Sequence, residues 1–73
     1  MEYRITCINK AVTEDSVAVT DLGGIDAQGE RWTMSVEEAA EAIAAGEKFF
    51  LGDAPLAAID AASKALLKLP SCP

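Results

Sequence analysis

The sequence predicts an α+β fold: a small antiparallel sheet, made of an N-terminal hairpin and a short third strand, packed against one central helix. A second helix is expected at the C-terminus, giving the order ββαβα, with ββαββ as the alternative. Three observations carry this reading. Two β-branched stretches near the N-terminus are joined by a short polar link. Ser35 and Glu38 form an S-x-x-E capping box ahead of a helical stripe. Phe49 and Phe50 then follow the glycine that closes that helix.

The first strand is read over residues 2 to 9, with Tyr3, Ile5 and Cys7 facing the core and Arg4, Thr6 and Ile8 on the other face. Residues 11 to 15 link it to a second strand in SVAVTDLGG. Residues 23 to 31, GGIDAQGER, lack periodicity and read as a connection. Trp32 is expected in the core where the helix starts. Val36, Ala39, Ala40 and Ile43 form the buried stripe of that helix, and Glu37, Glu38 and Glu41 lie on its solvent side near the positive end of the dipole. Gly46 ends it. In the strand 47 to 51, Phe49 and Phe50 must point to opposite faces.

Asp53 and Pro55 read as the start of a helix from about 55 to 68, closed by Pro70, with an exposed Asp60–Lys64 pair. A strand at Leu56 to Ile59 is the alternative. At 73 residues the chain is a single domain, and its 51% hydrophobic content excludes disorder. Much of that content is alanine, so the expected core is thin and a partner subunit could complete it.

The net charge is −6, from 12 acids against 6 basic residues. That sign speaks against nucleic acid and anionic membrane as partners. No run of apolar residues is long enough to span a bilayer, and the N-terminal MEYRITCI lacks a secretory pattern, so a cytoplasmic setting is expected. Histidine is absent, which removes the usual base of Ser–His and Cys–His systems and the commonest zinc ligand. No metal, no cofactor and no catalytic residue is expected. Two cysteines are too few for a secreted scaffold, and Cys7 is expected to be a buried reduced thiol in the first strand, with a Cys7–Cys72 bridge clipping the C-terminal tail to that strand as the alternative.

YRITCINK at 3 to 10, LGG at 22 to 24, Trp32 with SVEEAAEAI, the run Gly46–Glu47–Lys48–Phe49–Phe50, and the closing Leu69, Pro70 and Cys72 together resemble the DUF3892 family of small bacterial proteins. The resemblance covers nearly the whole chain. It implies a small stand-alone domain of unknown activity. It marks Lys10, Trp32, Phe50 and Cys72 as positions of interest. That family usually carries a glycine-bearing hairpin before the Leu-Pro, where this chain has a short alanine-rich interval.

The expected function is that of a non-enzymatic interaction or structural module, binding a protein partner or itself. Its candidate surface residues are Ile8, Lys10, Trp32, Phe50 and Leu67; a working surface is expected on the face that the central helix leaves uncovered. A small-ligand binder or minor enzyme using the 23–32 loop, with Asp26 or Glu30 beside Trp32, is the first alternative. An acidic inhibitor or mimic acting on a nucleic-acid-binding protein is the second.

Overall fold

A computed structural model describes residues 1–73. Its elements are β1 (Glu2–Val12), β2 (Val17–Asp26), β3 (Arg31–Ser35), α1 (Val36–Ala44), β4 (Lys48–Leu51), β5 (Ala54–Leu56) and α2 (Lys64–Leu67). The strands form one sheet in the order β3-β2-β1-β4-β5. Ile5, Ile8, Val19, Leu22, Ala39, Phe49 and Leu66 form the core that joins this sheet to both helices. The expected α+β fold is therefore present: an N-terminal hairpin and a later strand packed against two helices, enlarged by the short strands β3 and β5.

The β1–β2 hairpin turns at Glu14 and Asp15. Thr13 N–H donates to the Ser16 carbonyl at 2.8 Å, and Ser16 N–H donates to Thr13 Oγ1 at 3.1 Å. Register shifts fall between Ile5 and Cys7 and between Asn9 and Lys10. The first one corrects the expected facing of Ile8. An extra residue in one strand of a pair resets the alternation, so Ile8 lands on the same face as Ile5 and is 1% exposed.

β2 also runs further than expected, to Asp26, leaving only 27–30 as connection. Asp26 Oδ1 accepts the N–H groups of Gln28 and Glu30, both at 2.9 Å, and Gly29 takes a φ of 80°. This Asx-type turn feeds β3, where Trp32 and Met34 point to the core and Arg31 and Thr33 point away.

Ser35 caps α1 as expected: its Oγ accepts Glu38 N–H at 3.1 Å, and Glu38 Oε1 accepts Ser35 N–H at 3.3 Å. The helix ends in a Schellman motif. Gly46 N–H donates to Ile43 O at 3.0 Å and Glu47 N–H to Ala42 O at 2.9 Å, with Gly46 at φ 100°. α1 carries the chain across the sheet, so β4 pairs with β1 in parallel, Tyr3 opposite Phe49 and Ile5 opposite Leu51. The sheet is consequently mixed rather than purely antiparallel.

The helix expected from 55 to 68 is reduced to Lys64–Leu67, and its start is replaced by β5. Gly52, at φ 63°, takes the first place of a two-residue turn that pairs Leu51 with Ala54 and Phe50 with Pro55. A short strand does form here, displaced toward the turn from the alternative at Leu56 to Ile59, and the C-terminal helix follows it. Beyond it, Ala61 O accepts Val19 N–H at 2.8 Å, tying this segment to the edge of β2. Asp60 Oδ1 accepts Ala62 N–H at 2.9 Å instead of pairing with Lys64. Tertiary bonding of the backbone here overrides the helix propensity of alanine.

Cys7 and Cys72 form a disulfide with their Cα atoms 5.0 Å apart, which corrects the reduced Cys7 expected from sequence. The C-terminal tail takes over the edge of β1 where β4 stops. Ile8 N–H donates to Pro70 O at 3.0 Å and Cys72 N–H to Ile8 O at 3.1 Å. Gly23 lies across from Cys7 and makes room for the bridge: a Cβ there would stand 2.9 Å from both sulfurs.

Candidate interaction surface

The sheet has two unlike faces. On the covered face, Tyr3, Trp32 and Phe49 meet as an aromatic triangle, with ring centroids 5.2, 4.9 and 5.5 Å apart. Tyr3 stacks on Phe49, and Trp32 meets both edge-on. Phe49 is fully buried. Trp32 is half-buried, and its Nε1 is buried without a hydrogen-bond partner.

Tyr3 reaches the rim of this cluster, where its hydroxyl donates to Met1 Sδ at 3.3 Å. Its pKa is raised above the usual 10.0, first by partial desolvation, then by the nearby Glu47 carboxylate, and last by Asp26. Glu47 in turn lies 3.8 Å from the N-terminal ammonium, the one ion pair in the molecule.

The uncovered face is organised by register. Ile25 pairs with Arg4 on one side and with Arg31 on the other; Arg4 pairs with Phe50, and Phe50 with Pro55. Directly opposed residues share a face. Five strands therefore present Arg31, Ile25, Arg4, Phe50 and Pro55 as one transverse row. Arg4 and Arg31 are the only arginines in the chain, and neither makes an ion pair. Two strand spacings put them about 10 Å apart. Between them Ile25 is 45% exposed.

Two open hollows flank this row. One, of about 340 Å³, is lined by Glu2, Tyr3, Arg4, Ile25, Asp26, Ala27 and Phe50. The other, of about 300 Å³, lies between Ile25, Arg31 and the disulfide-bound tail at Pro70 to Pro73. Lys48 sits beside Phe50 in β4 opposite Glu2. This end of the face thus gathers three of the chain's six cations.

The residues expected to form a surface are dispersed by the fold. Ile8 belongs to the core. Trp32 is on the covered face, Leu67 is half-buried at the end of α2, and Lys10 is exposed on the hairpin arm. Only Phe50 falls in the row. Sequence reasoning missed Arg4, Ile25 and Arg31, whose adjacency depends on the pairing of three strands. The available signal was that both arginines alternate with core aromatics, Arg4 after Tyr3 and Arg31 before Trp32.

Asp26 is engaged in its turn rather than free at a ligand. No group of three or more His, Cys, Asp or Glu side chains is placed to hold a metal ion. No helix is long and apolar enough to cross a membrane. No family model matches the chain, and neither a curated protein nor a solved structure matches it.

Proposed function

We propose that the chain is a small non-enzymatic interaction module, capable of self-association, that works through the sheet face its helices leave uncovered. The row Arg31–Ile25–Arg4–Phe50 carries this reading. Arginine and aromatic side chains are enriched at protein interfaces, and an unpaired guanidinium beside exposed apolar surface is suited to a carboxylate-bearing partner. The net charge of −6 supports a protein partner over nucleic acid or anionic membrane.

A cytoplasmic setting and kinship with the DUF3892 family belong to the same proposal, the latter resting on motif order. The Cys7–Cys72 bridge attaches a condition to that setting, because cytosolic thiols are generally kept reduced. There the tail would be held by its backbone bonds to Ile8 alone.

The test is a capture experiment from the organism's own lysate, with the native chain and the R4E/R31E variant immobilised side by side. A species retained by the native chain and lost from the variant is expected. Identical recoveries from both, with the variant shown to be folded, would remove the uncovered face from the proposal.

A further inference from the structure

We infer that the occupant of the arginine row is the β1–β2 hairpin tip of a second copy of this chain, an inference that rests on the interaction reading of that face. The large hydrophobic side chains left exposed are few: Met1, Val12, Val17 and Ile25. Val12 and Val17 oppose one another at the base of the tip and are 70% and 36% exposed. Between them stand Glu14 and Asp15, exposed and without ion pairs. The tip therefore offers two carboxylates; Val12 and Val17 lie on the covered face with Val19, and the arm's uncovered face carries the paired Ala11 and Ala18. The row offers two guanidiniums flanking an isoleucine. The charges are complementary in kind, and each set is unsatisfied within the single chain.

The tip is also preorganised. Thr13 and Ser16 close it through backbone and hydroxyl hydrogen bonds at 2.8 to 3.1 Å, so little ordering accompanies docking. The other acidic patch fits less well. Glu38 on α1 is engaged in the capping box, and α1 packs on the covered face, away from a partner that meets the uncovered one. Stacking the row on its own copy is disfavoured, since it would oppose arginine to arginine.

The two surfaces lie at opposite ends of one strand. From Arg4 to Val12 is eight residues of β1, roughly 26 Å of extended chain. Two copies laid antiparallel with their uncovered faces together can each place a tip on the other's row. Such an exchange is two-fold and self-limiting, so it closes as a dimer rather than growing into a filament.

Charge reversal tests the exchange. Light scattering after size exclusion at about 100 µM, where a micromolar contact is occupied, should give twice the 7.6 kDa chain mass. R4E/R31E and E14K/D15K should each weaken the dimer by about 100-fold, because each opposes like charges at both contacts. An equimolar mixture of the two variants should recover the doubled mass, since every contact is then again between opposite charges.

A native chain that stays single overturns the inference while leaving the lysate capture to judge the face itself. A dimer that survives both reversals, or a mixture of folded variants that fails to associate, overturns it as well. Should a reversal unfold the chain, the native protein decides alone. Its mass must fall toward that of one chain as salt is raised from about 0.05 to 0.5 M, and a salt-indifferent dimer refutes the pairing.

Discussion

Gly24 runs so close to the backbone of Arg4 that a Cβ at position 24 would overlap the Arg4 carbonyl oxygen. The obstacle is main chain, which cannot rotate aside. Gly24→Ala should therefore force β1 and β2 apart beneath the arginine row. We expect a loss of roughly 3 kcal/mol, read as a lowered urea midpoint, and a loss of row-dependent association in whatever fraction remains folded. The same substitution at Gly29 meets open space and strains only a turn at φ 80°.

Cys7 and Cys72 stand 65 residues apart in sequence, so their bond removes a large part of the freedom of the unfolded chain. The chain-entropy account puts this at about 4 kcal/mol. For a domain this small that is a large fraction of the whole stability. Reduction with a thiol, or the C7S/C72S variant, should lower the urea midpoint accordingly. A midpoint unchanged by reduction would assign the tail's attachment to its backbone bonds with Ile8.

Phe49 joins the aromatic triangle to the helix-facing core and is wholly buried. Phe49→Ala should cost about 3 to 5 kcal/mol through lost burial and the cavity left behind. Phe50→Ala, on the open face one position along, should cost far less stability yet weaken association. Chemical denaturation together with light scattering on the pair separates the two roles.

Tyr3 is the only tyrosine, so tyrosinate absorbance reports it alone. Desolvation, then Glu47 and Asp26, favour its protonated form in the fold and raise its pKa above 10.0. Stability from this group is therefore complete below pH 10.0 and is lost as pH rises through the higher folded value. A titration of the native chain should have its midpoint above that of the denatured chain. Tyr3→Phe should remove this part of the alkaline loss of stability.

The elements legible in sequence were those with a local signature. Ser35 and Glu38 announce α1, Gly46 its end, and adjacent Phe49 and Phe50 a strand with two occupied faces. β3 was hidden because Trp32 and Met34 are only two alternating core residues, sitting directly ahead of a stronger helix signal. The Gly52–Asp53 turn was locally readable, yet Pro55 and the alanines after it also suit a helix. What decides between them is Ala61 reaching back to Val19, a contact no local pattern encodes. Ile8 was misplaced because a bulge has no composition of its own. The candidate site was less legible still: Arg4, Ile25 and Arg31 become neighbours only once three strands are in register.

The Cys7–Cys72 bond also turns the span between those two residues into a closed ring. A single protease cut at the Glu14–Asp15 tip, or within 27–30, leaves both pieces on one covalent molecule that separates only under reducing conditions. Because that ring is already sealed by sulfur, either tip could also be opened to serve as new ends of a rearranged chain, with the sheet still assembled around its cross-link.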